Sequence, residues 1–163
     1  MQQRLTDMAA EVGLEFNFDN AVLANSFNAH RLAHFAQSQN KGNEAEEALF
    51  KAHFTDGKNI DDFEVLTELA EDIGLDTEEA RRILESDRYA EAVKEDIRES
   101  RKVGVQGVPF FVYNRKYAIS GAQPTEAFVE TLQKSWKEWN SQQQPATLNA
   151  DAEGAACGPN GDC

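Results

Sequence analysis

Hydrophobic periodicity predicts a helix-dominated α+β protein, on three observations. Seven segments carry apolar residues at helical spacing, and only two short runs alternate as strands do. The turn Asn114-Arg115-Lys116 joins those two runs into an antiparallel hairpin. At 163 residues the chain can bury a sizeable core, since a chain of about 150 residues buries ~68–70% of its unfolded surface.

Leu5, Met8, Ala9 and Val12 repeat at helical spacing, so the first helix is expected from about Gln2 to Val12. Gly13 followed by Leu14 stops it, a glycine with an apolar residue behind it. Glu15 to Phe18 is a short connection or a brief strand. Asn25 or Ser26 caps the next helix, whose apolar face includes Phe27, Leu32 and Phe35 and which ends before Gly42. Asn43 is expected to cap a helix from Glu44 to Phe54, with Leu49, Phe50 and Phe54 on one side, until Asp56-Gly57 breaks it.

The stretch from Ile60 to Ile73 puts Phe63, Leu66, Leu69 and Ala70 on one stripe and ends at Gly74-Leu75. Asp76 or Thr77 caps a short helix with Glu78 and Glu79 at its positive pole. Ser86-Asp87 separates it from a helix over Arg88 to Lys102 that buries Tyr89, Ala92, Val93 and Ile97. The period then changes to that of strands over Val108 to Val112 and Tyr117 to Ser120. Pro124-Thr125 opens the last helix, with Phe128, Val129, Leu132, Trp136 and Trp139. These segments predict a helical domain over residues 1–102, a hairpin and helix over 103–140, and a flexible polar tail over 141–163.

The net charge of −13 repels phosphate backbones, which excludes nucleic acid as an expected partner. Residues 61–80 hold nine acids and no base, and are read as a solvated helix face. No apolar run approaches ~18 residues, and Met1-Gln2-Gln3-Arg4-Leu5 lacks the apolar core of a signal peptide. A cytoplasmic protein without a membrane partner is expected. Both cysteines, Cys157 and Cys163, fall in the last seven residues, so they staple no core.

Val103-Gly104-Val105-Gln106-Gly107-Val108-Pro109-Phe110-Phe111-Val112 is the most distinctive stretch. Proline lacks a ladder donor and belongs at a strand start or an edge, and β-branched Val108 before it takes an extended conformation. The strand Gly107 to Val112, the turn, the strand Tyr117 to Gly121 and the helix opened at Ala122-Gln123-Pro124-Thr125 together resemble the C-terminal half of a thioredoxin fold. They are most similar to the DsbA family of thiol-disulfide oxidoreductases, in its FrnE-like branch, over roughly Met1 to Asn140. The resemblance implies a helical domain inserted into a thioredoxin fold. It also implies two further strands and a Cys-x-x-Cys helix that these 163 residues do not contain. A truncated form, or a partner such as a second copy covering the incomplete sheet, is the expectation that follows.

By the same resemblance Pro109 is a cis-proline and Val108 presents its backbone to the substrate. Asn25, Ser26 and His30 are candidate substrate contacts, because the branch places such residues of its helical domain above the active-site cleft. As residues, Asn25 and Ser26 also read as helix caps, and His30 as a packed imidazole. Cys157-Gly158-Pro159-Asn160-Gly161-Asp162-Cys163 is the sole dithiol of the sequence, and its turn-forming residues bring the sulfurs together. The resemblance implies that Cys157 and Cys163 are catalytic, shuttling electrons. No base in the sequence nearby lowers their pKa, and two ordinary exposed thiols are the plain reading.

His30 and His34 stand four residues apart, as two metal ligands do, but no third ligand accompanies them and only folding brings His53 near. No metal and no cofactor is expected. The implied partner is a protein with thiols or a disulfide, or a small thiol such as glutathione. Two alternatives stay open: a glutathione-dependent isomerase of the 2-hydroxychromene-2-carboxylate type, and a binding remnant without turnover.

Overall fold

A computed structural model describes residues 2–143. The chain divides into two units, Met1–Lys102 and Val103–Cys163. The first contains α1 (Gln2–Glu11), a 3₁₀ turn (Phe18–Asn20), α2 (Phe27–Ser38), α3 (Gly42–Phe50), a π-helical segment (Lys51–Thr55), α4 (Phe63–Asp72), α5 (Thr77–Leu84) and α6 (Ala90–Lys102). The second contains β1 (Phe110–Tyr113), β2 (Tyr117–Ser120) and α7 (Thr125–Gln143). The expected helix-dominated α+β class is the one observed. Among the described residues no helix is long and apolar enough to cross a membrane.

The core of the first unit forms around α2, whose Ala29, Leu32, Phe35 and Ala36 pack with Leu66, Leu69 and Ala70 of α4 and Ala80, Ile83 and Leu84 of α5. Leu32, Leu66 and Ile83 are fully buried, and each such side chain contributes about 1.5–3 kcal/mol by leaving water. Gly13 and Gly74 end α1 and α4 at φ of 80° and 71°. Behind them Leu14 N–H donates to the Ala9 carbonyl and Leu75 N–H to that of Ala70, satisfying carbonyls at the helix ends. Asp76 caps α5 by accepting from Glu79 N–H at 2.8 Å.

Several expected boundaries move. Asn43 does not cap α3, which starts at Gly42 after Lys41. Asn40 takes a left-handed φ of 59° and Lys41 N–H closes onto the Ala36 carbonyl, so the next helix begins before Asn43 is reached. Lys41 instead caps α4, donating from Nζ to the carbonyls of Ile73 and Gly74. The helix expected at Ile60 starts at Phe63, because the Asp62 carboxylate accepts from Glu64 N–H and Val65 N–H and sets the first turn. The helix expected at Arg88 starts at Ala90, after Tyr89 with its positive φ. Ile97, expected to be buried, is 41% exposed.

In the second unit β1 and β2 pair antiparallel with Phe111 opposite Ile119 and Tyr113 opposite Tyr117. Opposed residues share a face, and α7 covers this one: the Phe128 ring meets Phe111 edge-on at 4.9 Å. At the turn end Tyr117 donates from its hydroxyl to Glu138 on α7 at 2.6 Å, and Lys116 pairs with the same carboxylate. Pro109 precedes the strand that was expected to begin at Val108.

This clamp makes stability pH-dependent at both ends. Hydrogen bonds from Lys116 and Tyr117 hold the Glu138 carboxyl below its ordinary range, and the bond to Glu138 raises the pKa of both donors. A depressed carboxylate contributes stability that is lost as pH falls through its folded pKa. A raised donor contributes stability that is lost as pH rises through its folded pKa. Wild type is therefore expected to melt above Glu138→Gln at neutral pH, by a small margin because the groups are exposed. The margin closes in acid and again at alkaline pH above the ordinary tyrosine and lysine range. Melts followed by the fluorescence of Trp136 and Trp139 across pH check this, and a margin independent of pH refutes it.

Candidate functional site

In the second unit the loop before β1 carries the distinctive motif. Val108 is 90% exposed and Gly107 and Pro109 are exposed beside it. The Val108–Pro109 peptide bond is cis. The Pro109 carbonyl accepts from Gly121 N–H at 2.8 Å, which ties the loop to the end of the hairpin. No hydrogen bond among the described residues engages Val108. An exposed backbone without intramolecular partners is what an extended peptide pairs with.

In the first unit, the stretch from Asn25 to Leu32 sorts into framework and cleft. Asn25 Oδ1 accepts from Phe27 N–H at 3.0 Å and orders the entry to α2, whereas the Ser26 side chain makes no capping bond. Asn28 donates from Nδ2 to Asp61 Oδ1 and accepts at Oδ1 from Arg31 Nη1. Arg31 is 4% exposed and also donates to the carbonyls of Ile83, Leu84, Ser86 and Arg88. Burial lowers the pKa of this guanidinium and the Asp87 carboxylate opposes the shift. Asn28 and Arg31 thus hold the turn after α5.

Ser26 and His30 line a cleft of about 470 Å³. Its wall is apolar, with Leu49, Phe50, Phe54 and Ile60, and His53 lies among them. The π-helical segment carries His53 and Phe54, whose rings meet edge-on at 4.8 Å. Phe50, expected on the buried side of α3, is 58% exposed, because α3 widens into the π turn directly after it. His53 Nδ1 is buried and has no hydrogen-bond partner among the described residues. A neighbouring cleft of about 180 Å³ also includes His30, together with His34, Glu46 and Asp96.

His34 is committed elsewhere, since its Nε2 pairs with Asp96 Oδ2 at 2.7 Å and its ring lies parallel to that of Tyr89. Among the described residues no three or more His, Cys, Asp or Glu side chains gather as metal ligands do. Cys157 and Cys163 lie outside the described residues. Sequence reasoning named Ser26 and His30 but missed His53, Phe50 and Phe54 as cleft residues. The π turn breaks the helical period that such reasoning counts on. It also missed Arg31, although Phe27, Arg31 and Phe35 share one helix face at four-residue spacing and Phe35 is buried there.

The Bacillus subtilis (strain 168) uncharacterized protein YwbO is 30% identical over 140 residues, which are 84% of this chain and 69% of YwbO. The crystal structure of a probable DsbA oxidoreductase from Streptomyces coelicolor matches with a TM-score of 0.78 and 38% identity, over 97% of this chain. The match spans 65% of the Streptomyces chain, just under two thirds of its length. The DSBA-like thioredoxin domain model matches residues 1–133. On that match the chain belongs to the DSBA-like thioredoxin domain family.

Proposed function

We propose that this protein takes part in thiol-disulfide exchange in the cytoplasm, as a FrnE-like member of its family. The observation that carries the reading is Val108, exposed and without hydrogen-bond partners among the described residues directly before Pro109, in a chain similar to a probable DsbA oxidoreductase. In this reading an extended disulfide substrate pairs with the Val108 backbone and lies against Pro109. Within the helical unit Ser26 and His30 are further candidate substrate contacts, with Asn25 ordering the start of α2.

Cys157 and Cys163 supply the thiols present in the 163 residues. One thiolate attacks a substrate disulfide, a protein–substrate S–S bond forms and one substrate thiolate leaves. The second cysteine thiolate then displaces the other substrate sulfur. The protein ends as a disulfide, the substrate as a dithiol, and two electrons have passed to the substrate.

Insulin reduction with dithiothreitol as reductant tests the reading, combined with amide NMR during titration of a disulfide-containing peptide. The chain is expected to exceed the dithiothreitol baseline, a C157S/C163S variant to fall back to it, and the Val108 amide to shift on peptide addition. Equal rates for the two proteins remove the tail cysteines from the mechanism. Baseline rates for both, with a shifted Val108 amide, leave a binding module without turnover. An unmoved amide as well overturns the reading.

A further inference from the structure

One long side of α7 is uncovered. The helix turns Phe128 to Phe111 and Glu138 to Tyr117 and Lys116, and Ser135 is buried on the same side. About a quarter-turn round the helix, Val129, Leu132, Trp136 and Trp139 form a second apolar line, between 40% and 61% exposed. Their spacing of three, four and three residues is that of a coiled-coil seam. The Trp136 and Trp139 rings lie 5.1 Å apart, so the two indoles make one continuous patch. Contiguous apolar patches on a protein surface mark contacts with other molecules. Thr125 and Gln143, both exposed, extend the line at each end with polar groups.

We infer that a second copy of this chain covers the line, in an antiparallel, two-fold symmetric pairing of α7 with α7 centred on Lys134. From Thr125 to Gln143 the spacing is four, three, four, three, four, the same from either end, so a two-fold axis at Lys134 lays the line on itself. Val129 then meets the partner's Trp139, Leu132 the partner's Trp136, and Thr125 the partner's Gln143. Each indole faces an aliphatic side chain, which keeps the gap between the helices even. A parallel pairing would set indole on indole and valine on valine. Charge favours the same direction. Glu126 and Glu130 in the first half of α7 and Lys137 in the second form no ion pair among the described residues. Lys134 lies over the Tyr117 ring, and Glu138 is held by Lys116. Antiparallel pairing sets the acidic half of each helix beside the basic half of the other and opposes the two helix dipoles. Residues 103–143 carry four basic and three acidic side chains, against 12 basic and 23 acidic in residues 1–102, so two copies repel each other least through this unit. The inference stands apart from the thiol-disulfide reading, since association is measured in reductant and without substrate.

A seam of two heptads is short, and a dissociation constant on the order of 10 μM is expected. Sedimentation velocity of the full chain in reductant should show mainly the 18.2 kDa monomer at about 1 μM and mainly dimer at about 100 μM. Tryptophan emission should move to shorter wavelength over the same range. Leu132→Glu should weaken association by at least about tenfold. E126K/E130K makes α7 basic along its length and should weaken association several-fold, as should K134E/K137E, which makes it acidic. An equimolar mixture of those two variants should associate as the wild type does. All of these changes fall on exposed side chains, and circular dichroism confirms that the variants fold. If one does not, the wild-type series and the remaining variants decide. A wild type that stays monomeric at about 100 μM overturns the inference, and short-wavelength emission from that monomer would mean that the chain covers the line itself. A dimer untouched by Leu132→Glu uses another surface, and one that E126K/E130K leaves as tight is not antiparallel. Either result also overturns it.

Discussion

Arg31→Ala is expected to cost about 3–5 kcal/mol, a large share of the roughly 5–15 kcal/mol that holds a domain together. Arg31 is 4% exposed, and among the described residues no carboxylate is bonded to its guanidinium. Its charge is met by four backbone carbonyls, of Ile83, Leu84, Ser86 and Arg88, and by Asn28 Oδ1. These carbonyls cluster at the C-terminal end of α5, where the helix dipole is negative. Removing the donor takes a partner from all four at once, although the Ile83 carbonyl keeps Ser86 N–H and Oγ. Water can reach those of the exposed Ser86 and Arg88, whereas that of the buried Leu84 stays dry.

Arg31→Lys should recover little of the loss, because one ammonium cannot spread its donors over carbonyls on both sides of a turn. Urea unfolding followed by helical circular dichroism measures both variants. A loss below about 1 kcal/mol for Arg31→Ala would show that the network is redundant.

Gly57→Ala is expected to be the second most damaging change, for a different reason. Gly57 sits at φ 65°, and a Cβ there would stand 2.4 Å from the Asn20 carbonyl oxygen and 3.0 Å from its carbon. The left-handed conformation alone costs an L-residue about 1–2 kcal/mol. Driving the chain off the Asn20 backbone adds about 1–3 kcal/mol. Gly13→Ala separates the two effects, because Gly13 has φ 80° and a methyl group added there would meet nothing within 4 Å. Gly13→Ala should show the conformational cost only, and the same urea titration compares them. Equal losses for the two variants would mean that the contact with Asn20 is relieved without cost. The damage should also reach the cleft, since Lys58 N–H closes onto the Ala52 carbonyl and Asp56 N–H onto Lys51 at the end of the π turn that carries His53.

Local chemistry was legible wherever one residue type answers one local demand. Gly13 and Gly74 stop helices because the backbone needs a left-handed residue there, and Asp76 caps α5 because its carboxylate reaches a free N–H. Asn43 has the right chemistry for a cap and misses its place, because the tight closure at Asn40 and Lys41 starts α3 before it. Such closures depend on how two helices meet, which no residue type announces.

The cleft shows the same division. Ser26 and His30 stood out in the sequence as a motif, but Arg31 one position on carries more of the structure than either. An arginine in a helix reads as a solvated charge until the carbonyls that bury it are known, and those lie 52 to 57 residues away. His53 drew notice only as a distant third histidine, and its position depends on a π turn that shifts the helical register.

The helix-dominated class, the hairpin led by Pro109, most helix stops and the family were all readable from the order of residues. Each of these rests on periodicity or on the conformational limits of glycine and proline, which act between near neighbours. It took the folded chain to bury Arg31, to leave Val108 without a hydrogen-bond partner among the described residues, and to bring His53 into the wall of an apolar cleft. Burial and hydrogen-bond satisfaction depend on which distant groups arrive, and that information is distributed over the whole chain.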